Sequence, residues 1–228
     1  MGFYETYLDL VGQESEGSEL FDESIPEIQE SGFRKRLYET QKHNYELVKL
    51  ISGAVKHTLL KPQRVLHDDE DYYIGIDMYT NTYYVCYKNL LMVDIDYYKG
   101  DQDRSEEEIL NTFRIYCQDH PDTLFQLYRS RNGIHGFLVS QYSDYKNPDH
   151  INLMLDLGSD FYYTVYSYLR GWSVRLNKKT TDLSDTLYEY IGEIGTGKPI
   201  ERLENQIKLH INLVDVFKDT GTNTMHGS

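Results

Sequence analysis

An α+β fold, with a mainly antiparallel sheet flanked by helices in a single domain, is what this chain predicts. Strand-like and helix-like segments are interspersed without a regular βαβ rhythm. Tyrosine- and β-branched-rich runs face each other across short polar connections, as hairpins require. The 228 residues are enough to bury a sizeable core of their own.

Residues 1–32 carry nine acids and no base, interrupted by Gly12, Gly17 and Pro26, and read as an acidic leader that is weakly ordered or forms one short helix. From 33 to 60 the composition suits a helix, with Leu37, Tyr45, Val48 and Ile51 on a ragged apolar face, ended by Lys61-Pro62. Residues 67–71, His-Asp-Asp-Glu-Asp, read as a charged loop, without a second cluster at metal-site spacing. Segments 72–79 and 83–88 form a hairpin across residues 80–82, and 89–98 is a buried strand because Leu90–Val93 is continuously apolar. Ser105 and Glu108 make a capping box that opens a helix to about Gln118, stopped by His120-Pro121. Segments 124–128 and 134–139 are strands around a tight turn at Arg131-Asn132-Gly133. Residues 151–169 read as helical, 172–176 as a short strand and 200–218 as a final amphipathic helix. The chain thus divides into the leader 1–32, a core 33–185 and a helical C-terminal extension 186–228.

The longest strictly aliphatic run, Leu90-Leu91-Met92-Val93, is far short of the ~20 residues a membrane span needs. No secretory leader is visible, and a soluble, cytoplasmic or otherwise intracellular protein is expected, in a host cell if the source is viral. The pattern Met1-Gly2-Phe3-Tyr4-Glu5-Thr6 fits permissive myristoylation, but nine nearby acids make one acyl chain a poor anchor on an anionic leaflet. Cys86 and Cys117 are too few for a disulfide framework or a four-ligand zinc site.

The formal net charge of −14 argues at first against a nucleic-acid partner. The leader supplies −9 of it, however, while residues 161–181 hold Arg170, Arg175, Lys178 and Lys179 with no acid at all. Tyrosine, with 22 copies, is the compositional outlier. Most of these serve half-buried strands, and some are suited to stacking on bases.

Two constellations carry chemistry. In Leu91-Met92-Val93-Asp94-Ile95-Asp96, alternation sets Asp94 and Asp96 on one face, roughly 7 Å apart along a strand. Two carboxylates held together at the end of an apolar strand favour protonation unless a cation neutralises them, which Mg²⁺ or Mn²⁺ would do. A strand end running into solvent, with both carboxylates hydrated, is the other reading. In Ser130-Arg131-Asn132-Gly133-Ile134-His135-Gly136-Phe137, a glycine-containing turn lets backbone amides approach an anion, and His135 shares a face with Phe137 and Val139. A histidine in such a place also serves as an ordinary core residue. Gly192–Pro199 nearly spells a phosphate-binding loop, but Pro199 stands where a Ser or Thr hydroxyl is required, so the segment reads as a glycine-rich turn.

The order of these features, an hDhD strand, a helix, then a hairpin with Ser-x-x-Gly-x-His, resembles the archaeo-eukaryotic primase superfamily, the catalytic core of replicative primases and primase-polymerases. The resemblance covers residues 72–182, about half the chain. It implies that Asp94 and Asp96 are the metal-binding acidic pair, and that Ser130 and His135 belong to the motif that contacts the nucleoside triphosphate. A third metal-binding acid is implied, for which Asp156 and Asp160 both qualify. Tyr163-Thr164-Val165-Tyr166 and Trp172–Lys179 are similar to the aromatic-rich segment and Arg-Leu strand found downstream in primase-polymerases.

The implied activity is template-directed nucleotidyl transfer with Mg²⁺ or Mn²⁺, as in DNA replication. Asp94, Asp96 and Asp160 would act on the metals; Arg131, Gly133 and Lys178 would join Ser130, His135 and Arg175 around the nucleotide. The implied partners are nucleoside triphosphates, a single-stranded nucleic-acid template and a helicase or other replication protein, because the chain has no zinc-binding cysteine cluster and no helicase domain. A compact, acidic, tyrosine-rich chain also suits a viral or mobile-element source. Two alternatives stand beside this one: a catalytically degenerate primase-like module that binds nucleotide or single strands, and a metal-dependent nuclease using the same aspartates.

Overall fold

The computed structural model describes residues 63–77, 82–99, 102–178, 188–218 and 220, with the single positions 45, 48, 49 and 52. The acidic leader lies outside the described residues. So does most of the helix expected over 33–60, of which Tyr45, Val48, Lys49 and Ser52 are described and helical.

Two four-stranded antiparallel sheets frame the molecule. The first runs β1-β2-β3-β9, from β1 (Gln63–Asp68), β2 (Tyr72–Asp77), β3 (Thr82–Tyr87) and β9 (Trp172–Arg175). The second runs β10-β7-β8-β4, from β10 (Glu189–Gly195), β7 (Leu124–Arg129), β8 (Gly133–Leu138) and β4 (Met92–Asp96). A two-stranded ribbon, β5 (Tyr98–Lys99) and β6 (Gln102–Asp103), leads into α1 (Glu106–Asp119). Helices α2 (Pro148–Asp156) and α3 (Phe161–Arg170) connect β8 to β9, and α4 (Glu201–Phe217) follows β10. The expectation of an α+β fold with antiparallel pairing and flanking helices therefore holds, but the one expected sheet is two.

Alternation on each strand decides what each sheet face touches. On β8, Ile134, Gly136 and Leu138 turn toward α1, whose Phe113 packs edge-on against Phe125 of β7 at 5.1 Å between ring centroids. The opposite face presents His135 and Phe137, and Phe137 meets Tyr87 of the first sheet and His210 of α4. The helix α4 buries Leu203, Gln206, Ile207, His210 and Val214, an i, i+3, i+4, i+7 stripe that seats it across the junction of the two sheets. The capping box at Ser105 forms as expected: Ser105 Oγ accepts from the Glu108 amide and Glu108 Oε2 accepts from the Ser105 amide.

Three expectations change. The charged loop expected over 67–71 is shorter, because His67 and Asp68 belong to β1 and only Asp69–Asp71 turn the chain. Asp69 Oδ1 accepts from the amides of Asp71 and Tyr72 there, and this local side-chain bonding makes the turn. The helical stretch over 151–169 divides into two helices. Leu157 closes α2, Gly158 takes φ +75° and Asp160 caps α3 with its own carboxylate, so a new helix starts in a new direction. The glycine-rich turn over 192–199 is a strand as far as Gly195. Within β10 the pairing with β7 slips between Tyr190 and Gly192, and this bulge absorbs the glycine that makes the sequence look like a turn. Among the described residues no helix is long and apolar enough to cross a membrane.

Candidate active site

The carboxylate pair rests on how β4 is held. On its inner side β4 pairs with β8, setting Asp94 opposite His135 and Asp96 opposite Gly133. On its outer side it has no strand neighbour among the described residues, yet its polar groups are not left open. The Asp94 amide donates to Ser159 Oγ (3.2 Å), and the Asp94 carbonyl accepts from the Asp160 amide (2.7 Å). The chain at Ser159–Asp160 thus serves as a fragment of a further strand before turning into α3. Val93 and Ile95 point into the core and are fully buried, while Asp94 and Asp96 stay half-buried on the other face.

That face opens into a cavity of about 490 Å³ between the two sheets. One wall is Met92, Asp94 and Asp96 of β4 with His135 of β8, and Ser130, Arg131 and Asn132 of the β7–β8 turn form its rim. The facing wall comes from Asp77, Thr82 and Tyr84 of β2 and β3, with Ser173, Val174 and Arg175 of β9. Tyr163, Tyr166 and Arg170, spaced i, i+3 and i+7 on α3, complete it with Asn177 and Tyr188. Carboxylates and guanidinium groups therefore share one enclosure, which suits a ligand carrying both cationic and anionic parts.

His135 Nε2 lies 3.2 Å from Asp94 Oδ1, and the imidazole packs at 5.1 Å against the Tyr188 ring. The His135 side chain is 11% exposed and its Nδ1 has no hydrogen-bond partner among the described residues. Tyr163 is held far above the usual phenol range, first by burial and then by the charge of Asp94 nearby. Its hydroxyl is therefore a neutral donor beside the carboxylate pair. Arg175 donates from Nε to the Asn177 carbonyl (2.8 Å) and Tyr188 donates to the Arg175 carbonyl (3.1 Å), which fixes the chain that leaves β9.

Of the residues expected in the site, Asp94, Asp96, Ser130, Arg131, His135 and Arg175 line this one cavity. Gly133 does not line it. A Cβ at that position would overlap the Ile95 carbonyl and lie 2.8 Å from Asp96 Cα, so its glycine serves the close approach of β8 to the carboxylate strand. The anion cradle expected from the turn is closed at Ser130, whose amide (2.9 Å) and hydroxyl (3.1 Å) both donate to the Gly133 carbonyl. Lys178 lies past β9, its amide bonded to the Lys218 carbonyl, and is not part of the lining.

The two candidates for a third acid separate. Asp156 is exposed at the end of α2, where its charge acts on Tyr116 of α1. Asp160 sits beside Asp94 through its backbone, but its Oδ1 accepts from the Tyr163 amide (2.8 Å) as the cap of α3. Asp77, Tyr84, Tyr163, Tyr166, Arg170 and Tyr188 are among the lining residues that sequence reasoning missed as site residues. Helical spacing along 163–170 was the available signal for Arg170; Asp77 needed the β2–β3 register.

Among the described residues no three His, Cys, Asp or Glu side chains group closely enough to enclose a cation. Mg²⁺ is commonly held by one or two carboxylates plus water and substrate phosphates, and the pair Asp94 and Asp96 has the donor chemistry for such an open site. No protein-family model matches the chain, and it matches neither a curated protein nor a solved structure.

Proposed function

We propose that the protein is a metal-dependent nucleotidyltransferase of primase-polymerase type, extending or starting a nucleic-acid strand on a template from nucleoside triphosphates. One observation carries the reading: the two motifs, 39 residues apart from Asp96 to His135, converge on one cavity that also holds three arginines. Chance placement of an acidic strand end and a core histidine gives no reason for that convergence.

In this reading Asp94 and Asp96 would hold Mg²⁺ or Mn²⁺, which would supply positive charge at the phosphates and at the attacking hydroxyl. The protein's part is positioning. His135, steadied by Asp94 on one side and the Tyr188 ring on another, presents its imidazole to the triphosphate. Arg131 and Arg175 bring positive charge to the rim and facing wall, where negative charge accumulates during phosphoryl transfer. The half-buried phenol ring of Tyr166 gives a flat surface for a base or sugar.

The capped role of Asp160 favours a second reading, a module that binds nucleotide without turnover, because a two-carboxylate site is the minimum for this chemistry. Incorporation of labelled nucleotide on a single-stranded template, with and without primer, in Mg²⁺ and Mn²⁺, decides between them. Product supports the enzyme; metal-dependent nucleotide binding without product supports the module.

A further inference from the structure

Four polar groups of the β3–α3 wall are buried without hydrogen-bond partners among the described residues: the Tyr84 and Tyr163 hydroxyls, Ser167 Oγ and Arg170 Nε. Buried polar groups are normally satisfied, so a cluster of orphans marks a place that something else completes. Tyr84 is 4% exposed and Tyr163 9%, and both line the cavity with Arg170. Ser167, one turn beyond Tyr163, lies near that hydroxyl.

Arg170 is the second observation. No carboxylate pairs with its guanidinium among the described residues. The group instead packs over the rings of Tyr84 (5.0 Å) and Tyr166 (5.1 Å) and donates from Nη2 to Ser173 Oγ (3.1 Å). The Tyr84 ring lies against β2 at Gly75, where a Cβ would come within 2.7–2.9 Å of its atoms, so glycine there keeps the ring in place beneath the guanidinium. A permanently charged, stacked, half-buried fork with an orphan nitrogen, beside two orphan phenols, is built for an anion.

We propose that Arg170, Tyr84 and Tyr163 form a phosphoryl-binding subsite, which adjoins the Asp94–Asp96 pair at Tyr163. Donors arriving from β3 and from the first and last turns of α3 suit a tetrahedral group with several oxygens better than a planar carboxylate, which the fork alone would satisfy. The subsite deepens the nucleotidyltransferase reading, yet it requires no turnover and no metal. Its phosphoryl group comes either from a nucleoside polyphosphate or from the backbone of a nucleic-acid strand.

The test is calorimetric titration of the full chain with inorganic pyrophosphate in EDTA, and separately with oligothymidylate lacking terminal phosphates. Binding of the first identifies a polyphosphate source and of the second a backbone source. Arg170→Gln is expected to weaken the binding probe at least about tenfold, the scale of a lost charge-assisted hydrogen bond. Lys208→Gln, which removes one exposed charge on α4, is expected to leave it unchanged. The double variant Tyr84→Phe with Tyr163→Phe is expected to melt at a higher temperature, since two orphan hydroxyls are gone, while binding the probe more weakly. A purely structural role gives no such opposition. Wild-type protein that binds neither probe, Arg170→Gln that binds like wild type, or a double variant with undiminished affinity would each overturn the subsite.

Discussion

Asp94 and His135 face each other across adjacent antiparallel strands, with His135 Nε2 3.2 Å from Asp94 Oδ1. The contact joins the acidic strand to the histidine hairpin, and it makes the two motifs one device. His135→Ala is therefore expected to raise KM for nucleoside triphosphate about tenfold or more while the Asp94–Asp96 pair remains in place. Steady-state kinetics at varied triphosphate concentration measures it. A nuclease using the same aspartates would show no such dependence, since it consumes no triphosphate.

Gly133 holds β8 against the carboxylate strand. Gly133→Ala drives a methyl group into the Ile95 carbonyl, and the expected cost is about 2–3 kcal/mol of stability, of the order of an overpacked core. Denaturant unfolding reads the loss directly. An unchanged midpoint would mean that β4 moves aside without cost.

Asp160 has a role that one pair of variants separates. Asn caps a helix about as well as Asp, so Asp160→Asn is expected to keep stability and activity, whereas Asp160→Ala loses about 1 kcal/mol. If Asp160→Asn abolishes incorporation in a protein that melts normally, Asp160 is a metal-binding acid and the cap is incidental.

His210 lies fully buried among Tyr87, Phe137 and Tyr188, with both ring nitrogens unpartnered among the described residues. Burial first, and then the nearby His135, push its pKa down to about 3. The unfolded chain protonates this ring near 6.5 and the folded chain does not, so the folded state gives up stability as pH falls from about 6.5 toward about 3. The loss approaches about 1.4 kcal/mol per pH unit in that window and vanishes above it. His210→Phe is expected to flatten this acid limb relative to wild type in unfolding curves taken from pH 7 to pH 4. Parallel curves would show that the ring is hydrated.

Much of the frame was legible because local signals agreed with tertiary structure. The Ser105–Glu108 box, the tyrosine-rich hairpin and the apolar run before Asp94 each dictate an element without help from distant residues. The misses share a cause. His67 and Asp68 look like loop residues but gain a strand partner in β2, and Gly192 looks like a turn but is absorbed by a bulge against β7. Asp160 carries a carboxylate in the right neighbourhood, yet the first turn of α3 claims it. Pairing partners and helix starts are set by the fold, and spacing along the chain does not reveal them. The cavity itself followed the same rule: Asp94, Asp96 and His135 were readable from alternation, whereas Asp77 and Tyr84 reach it only through the register of the other sheet.

The carboxylate pair is the centre of the account, and the direct test is incorporation of labelled nucleotide by Asp94→Asn and Asp96→Asn beside wild type. Each assay uses a single-stranded template with Mg²⁺ or Mn²⁺, and each variant is checked by thermal unfolding. Wild-type product that falls by orders of magnitude in both variants, with melting unchanged, is the predicted result. Variants that incorporate as well as wild type, or a folded wild type that incorporates nothing, would contradict it.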